Sequence, residues 1–148
     1  RNVQVRPPGG EALDDLVGRL DRVVVDAPCT GSGTWRRRPD AKWKLTPEQV
    51  EARAAEQQAI LRDAARFVKP GGTLIYITCS ILHRENGAQV RAFADAHPNF
   101  AVVPGAGLWH SAMGGAGRAI FEPEGGLQLT PLTTGTDGFY FAALRRAN

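Results

Sequence analysis

A β-branched run that stops at a proline constrains the fold of this chain most. Arg22-Val23-Val24-Val25-Asp26 has the pattern of a parallel strand buried on both faces. It ends at Ala27-Pro28, because proline cannot donate to a ladder. Thr73 to Thr78 (Thr-Leu-Ile-Tyr-Ile-Thr) reads as a second buried strand and runs directly into Cys79-Ser80. Between them, Thr46 predicts a helix N-cap, with Pro47 at the first helical position and Gln49 closing a capping box. Val50, Ala54, Gln57, Leu61, Ala64 and Val68 keep the helical period, Gln57 being the one polar member, and Pro70-Gly71-Gly72 ends that helix.

Other elements are fainter. Val3-Gln4-Val5 reads as a short strand cut off by Pro7-Pro8-Gly9-Gly10, and Leu13, Leu16, Val17 and Leu20 predict a short amphipathic helix. Cys29 to Leu45 is rich in Gly, Arg and Trp and reads as a loop. A third helix is expected from Arg84 to His97 with Val90, Phe93 and Ala94 inward, then a weak strand at Phe100–Val103 and a last strand at Phe139–Leu144. Gly105 to Gly138 holds nine glycines and little periodicity, the mark of a functional or mobile stretch. Helices alternating with buried strands predict an open α/β sheet with right-handed crossovers.

Composition excludes several classes. A chain of 148 residues, 43% apolar and 22% charged, is one ordinary globular domain, not a disordered tail, a collagen-like repeat or a disulfide scaffold. No run reaches the ~18 apolar residues of a membrane helix, and no signal-peptide pattern opens the chain. Two cysteines make no secreted framework, so the expected location is a reducing cytoplasm. The net charge of +3 suits an ordinary basic surface as well as a nucleic-acid partner.

Ligands of open α/β sheets sit outside the carboxyl ends of the strands. That places attention on Asp26-Ala27-Pro28-Cys29 and on Thr78-Cys79-Ser80. If the two strands are neighbours, about 4.8 Å apart, both cysteines lie at one sheet edge. A free cysteine is most often a small buried hydrophobe, but two at one functional edge weaken that reading. Arg36, Arg37, Arg38, Lys42 and Lys44, interleaved with Trp35 and Trp43, offer phosphate contacts and stacking surfaces to an unpaired nucleic acid; a solvated basic loop is the alternative. Gly31-x-Gly33 is no dinucleotide motif, since its third glycine would fall at Arg36. His83, His97 and His110 have no metal-ligand spacing with the cysteines, so no metal is expected.

Four segments carry a resemblance. Asp26-Ala27-Pro28-Cys29-Thr30-Gly31-Ser32-Gly33, Arg38-Pro39-Asp40-Ala41-Lys42-Trp43, Lys69-Pro70-Gly71-Gly72 and Tyr76-Ile77-Thr78-Cys79-Ser80-Ile81 resemble the Sun/Fmu (RsmB-like) family of RNA 5-methylcytosine methyltransferases. Gly135-Thr136-Asp137-Gly138-Phe139-Tyr140 resembles that family's closing segment. The resemblance implies a Rossmann-like class I methyltransferase sheet, mostly parallel with an antiparallel last strand, S-adenosylmethionine as cofactor, and RNA, most simply ribosomal RNA, as partner. It implies that Cys79 is the nucleophile, that Cys29 assists loss of the carbon 5 proton and product release, and that Asp26 binds the base. Asp26 and Pro28 are implied at the cofactor, and Arg38 to Trp43 at the active site.

One departure stands out. The family's Gly-rich cofactor loop after its first strand and the ribose-gripping acid after its second are not in this sequence, and Arg6-Pro7-Pro8 stands where an adenine-side acid is expected. Residues 1–148 are therefore expected to be the carboxyl-terminal portion of one catalytic domain, lacking its first strands and binding S-adenosylmethionine poorly alone. A non-catalytic RNA-binding remnant of the same fold is the alternative. A cysteine hydrolase is disfavoured because no motif supplies its base.

Overall fold

A computed structural model describes residues 2–7, 10–114 and 117–148, with the side chains of Gly10 and Glu11 left aside. Pro8 and Gly9 of the expected break, and Gly115 of the glycine-rich stretch, lie outside the described residues. Strands β1 (Leu20–Asp26), β2 (Val68–Thr78), β3 (Phe100–Val103), β4 (Ile120–Phe121), β5 (Leu127–Leu129) and β6 (Phe139–Arg146) form one sheet. Its order is β1-β2-β6-β5-β4, with β3 also on β6. β1 and β2 are parallel, and β6 runs antiparallel to β2, β3 and β5, so the expected antiparallel last strand is present.

Helix α1 (Ala41–Lys44) is one turn and precedes α2 (Pro47–Ala65), the crossover between β1 and β2. The capping box of α2 forms as read: the Thr46 hydroxyl accepts from Gln49 N–H, and the Thr46 N–H donates to the Gln49 side chain. Helix α3 (Gly87–Ala96) follows β2 and leads into β3, α4 (Gly105–Met113) follows β3, and α5 (Pro131–Thr134) precedes β6. The core lies between α2, α3 and the sheet, where Leu61, Leu74, Tyr76, Phe93, Tyr140 and Leu144 are fully buried. Among the described residues no helix is long and apolar enough to cross a membrane.

Several boundaries differ from the sequence reading. Val3 and Val5 form no strand and are 77% and 89% exposed, because no neighbouring strand offers them a ladder. Leu13 and Leu16 belong to a 3-10 helix, Gly10–Leu16, and Leu20 already starts β1. The loop after Cys29 contains a 3-10 turn, Ser32–Thr34, as well as α1.

Pro70-Gly71-Gly72 does not end α2, which stops at Ala65, but interrupts β2. Leu20 pairs with Val68 and Arg22 with Thr73, so this segment bulges from the ladder, where proline's missing N–H costs nothing and Gly71 adopts φ +69°. β1 is not buried on both faces either. It is an edge strand, α2 packs on one face only, and Val24 is 59% exposed on the other. Gly105–Gly138 is also more ordered than its composition indicates, since it holds α4, β4, β5 and α5.

Candidate active site

The parallel register sets the site. Asp26 pairs with Ile77, and Ala27 N–H donates to Ile77 O, so the two strands end level with each other. The chain leaves each strand through a cysteine, and the two sulfurs lie 3.3 Å apart. Both thiols are free and half-buried. Burial, reinforced by the neighbouring Cys79, pushes the Cys29 thiol up to about 12, although a backbone N–H at Gly31 pulls the other way. Cys29 is therefore a neutral thiol near pH 7.

A buried carboxylate that linear reading does not single out ties the two cysteine loops together. Glu85 is 0% exposed, in the 3-10 turn His83–Glu85 that precedes α3. Its Oε1 accepts from Thr30 N–H at 2.8 Å and from Gln57 Nε2 at 3.2 Å. Its Oε2 accepts from the hydroxyls of Thr30 and Ser80, both at 2.6 Å. Thr30 follows Cys29 and Ser80 follows Cys79, so one side chain fixes the exits of both strands. Gln57, the polar misfit in the helical stripe, also donates to Pro28 O at 3.0 Å. That misfit was the sequence signal for this network; Glu85, within the polar run His83-Arg84-Glu85-Asn86, carried none.

A second layer braces the same loops. The Ser32 and Ser80 hydroxyls are 2.8 Å apart, and Ser32 Oγ accepts from Ile81 N–H at 3.0 Å. Asn86 donates to Ser80 O and accepts from the Thr78 hydroxyl, while Gln128 donates to Phe139 O. Gly33 N–H donates to Cys79 O, and Gly138 N–H donates to Gly33 O. The closing segment thus seats directly on the Cys29 loop.

The Gly33–Gly138 contact leaves no room for a side chain. A Cβ on Gly33 would overlap the Gly138 carbonyl oxygen and lie 2.6 Å from its carbon. Gly33→Ala is expected to cost about 3 kcal/mol, at the upper end of overpacking effects, measurable by urea denaturation; an unchanged midpoint would contradict this packing.

The structure distributes the predicted basic residues unevenly. Arg36 and Arg37 both face Asp137 of the closing segment, Arg37 Nε donating at 2.5 Å. They remain half-exposed at their heads. Lys42 lies over the Trp43 ring, 4.4 Å from its centroid, and Trp43 is 80% exposed. Lys44 pairs with Asp40. Arg38, Lys44 and Arg53 line an open cavity of about 460 Å³ that begins at Cys29 and Thr30. Arg53, on α2, is the cationic member of this wall outside the predicted loop. Asp26 is exposed at the end of β1, on the same edge as the sulfurs.

The chain matches known proteins across this whole arrangement. The family model for 16S rRNA methyltransferase RsmB/F matches residues 1–145. Ribosomal RNA small subunit methyltransferase B of Thermus thermophilus is 38% identical over 130 residues, covering 88% of this chain and 30% of that protein. The crystal structure of PH0851 superposes with a TM-score of 0.76 at 36% identity, over 88% of this chain and 27% of that one. NSun6 from Pyrococcus horikoshii, solved with SFG, superposes with a TM-score of 0.66 at 26% identity, over 84% of this chain and 29% of that one. The chain therefore spans about 30% of the length of the Thermus relative. The Rossmann-like sheet, the cysteine-bearing strand ends and the match over residues 1–145 place this chain in the RsmB/F methyltransferase family.

Proposed function

We propose that this chain is the carboxyl-terminal, catalytic-edge portion of a cytoplasmic RNA cytosine-5 methyltransferase acting on ribosomal RNA. What carries the reading is the pair of thiols 3.3 Å apart, one of which, Cys29, lines a cavity walled by Arg38, Lys44 and Arg53. Cavity and cations suit a single flipped-out nucleotide with its phosphate, because carbon 5 cannot be reached inside a stacked helix.

Carbon 5 of cytosine is a weak nucleophile inside an aromatic ring. Cys79, after losing its proton to solvent, adds as a thiolate to carbon 6 and turns carbon 5 into an enamine carbon. The neutral Cys29 thiol can donate to that thiolate beforehand across the 3.3 Å contact. Asp26 contacts the base at its ring nitrogen and amino group and holds it for the addition. S-adenosylmethionine supplies, when bound, an electrophilic methyl group on a sulfonium.

After methylation, carbon 5 must lose its proton and Cys79 must leave carbon 6. Once Cys79 is bonded to carbon it carries no charge, so its part of the upward push on Cys29 disappears. Cys29 then gives up its own proton to solvent more readily, at the moment a base is needed. As a thiolate it takes the carbon 5 proton and becomes a thiol again, the 5,6 double bond re-forms, and Cys79 departs with the electron pair of its bond to carbon 6.

The residues present fit one wall of a cofactor site. Asp26 and Pro28 stand at the end of β1, whose outer edge pairs with no strand among the described residues. SFG, found with the Pyrococcus relative, is an S-adenosylmethionine analogue. With one wall only, calorimetry on these 148 residues is expected to show no S-adenosylmethionine binding below about 100 μM, and micromolar binding would contradict this division of the pocket. The activity itself is tested in the full-length protein with unmodified 16S rRNA and S-adenosylmethionine. Nucleoside mass spectrometry is expected to find new 5-methylcytosine; its absence would favour an RNA-binding remnant.

A further inference from the structure

Away from the thiols, His83, Glu122 and Glu124 bring one ring nitrogen and two carboxylate oxygens within 4.8 Å of one another. They come from separate parts of the chain. His83 opens the 3-10 turn before α3, and the two glutamates flank Pro123 in the turn joining β4 to β5. His83 Nε2 lies 3.1 Å from Glu124 Oε1. Oε2 of Glu122 and Oε2 of Glu124 are both shielded from solvent, and neither has a hydrogen-bond partner among the described residues. Carboxylate oxygens shielded from water and without a close hydrogen bond are costly unless a positive centre joins them.

Gly87 marks where these atoms converge. A Cβ there would come within 3.0 Å of Glu122 Oε2, Glu124 Oε2 and His83 Nε2 together. Gly87 has no positive φ, so its backbone does not require glycine. What glycine supplies is the absence of a side chain where all three donor atoms close in on its α-carbon.

We propose that His83, Glu122 and Glu124 bind a divalent transition-metal ion. One imidazole and two carboxylates form a mixed nitrogen and oxygen donor set suited to manganese or zinc, with water completing the shell. The ion clips the β4–β5 turn to the start of α3. Asn86, next to Gly87, donates to Ser80 O and to Gln128, so the clip also stiffens the network behind the Cys79 loop. The spacing of the histidines relative to the cysteines does not reveal this site, because two of its ligands are glutamates about forty residues downstream.

Manganese(II) is the probe, since thiolates compete for it weakly and the cysteines can stay in place. Titration of the metal-stripped chain, followed by loss of the free-ion paramagnetic signal, is expected to show one ion bound per chain. At a hundredfold excess over Kd the melting temperature should rise by about 5 °C or more. His83→Ala, at a ring that is 60% exposed, and Glu122→Gln should each weaken binding at least tenfold. Gly87→Ala should do the same by filling the space between the ligands. Retention of the free-ion signal up to millimolar manganese, or equal binding by the three variants, would overturn the site.

Discussion

Replacing Cys79 by alanine in the full-length protein is expected to lower methyl transfer at least about a thousandfold, because the one neighbouring thiol, Cys29, is held protonated by burial and adds poorly to carbon 6. Replacing Cys29 by alanine is expected to give a different phenotype. Addition and methylation proceed, but the carbon 5 proton has no base 3.3 Å from the attacking sulfur, and RNA remains bound to the protein through Cys79. A denaturing gel that resolves protein from protein–RNA adduct separates the two outcomes. A Cys79→Ala protein that methylates at the wild-type rate, or a Cys29→Ala protein that accumulates no adduct, would contradict the roles assigned here. The contrast matters more than either loss alone, since general damage to the fold would lower activity in both variants without producing adduct in one.

The second large effect is on stability. Glu85→Ala removes the acceptor of four hydrogen bonds and leaves Thr30 N–H and the Thr30 hydroxyl without a partner in a site shielded from water, while Gln57 keeps Pro28 O and the Ser80 hydroxyl keeps that of Ser32. Each stranded buried donor costs about 1–3 kcal/mol, and relaxation keeps the sum below simple addition. An overall loss of about 4 kcal/mol is expected, lowering the melting temperature by roughly 10 °C for a domain of this size. Glu85→Gln keeps the volume but turns one of the two acceptors into a donor facing donors, so it should recover only part of the loss. A melting temperature for Glu85→Ala within 2 °C of wild type, by circular dichroism, would show that Glu85 does not hold the loops, in units set by the usual effect of about 1 kcal/mol.

The contrast between Cys79 and Glu85 also marks what could be read from the sequence. The strand ends were legible because β-branched runs broken at Pro28 and Cys79 leave few alternatives, and the capping box at Thr46 and Gln49 forms as its residues predict. Local chemistry decided those features. Glu85 was not legible because its partners lie up to 55 residues away and only the fold brings them together. The same holds for Arg37, whose ion pair with Asp137 spans 100 residues. The two errors of burial share one cause. Val3-Gln4-Val5 and Val24 have the residues of a strand and of a two-sided core, but β propensity is satisfied only by neighbours, and none of the described elements covers them. Pro70-Gly71-Gly72 carries local signals that suit a helix stop and a bulge equally well; the register of β1 against β2 decides for the bulge.

The proposed mechanism also explains why the two sulfurs share a pocket instead of standing as isolated buried thiols. A thiol held at about 12 is a poor base on its own and a poor nucleophile at neutral pH. Beside a partner whose charge vanishes when it bonds to carbon, it ionises more readily once that bond has formed, and can serve as a base only then. That coupling requires contact, which the 3.3 Å separation supplies.

Mass-spectrometric mapping of a trapped complex tests the account most directly. The full-length protein is incubated with S-adenosylmethionine and a ribosomal RNA fragment carrying 5-azacytosine, which cannot release the attacking sulfur, and then digested to peptides. The account predicts a nucleotide joined to the peptide containing Cys79, with Cys29 still a free thiol. A nucleotide joined to Cys29, or no cross-linked peptide at all, would contradict it.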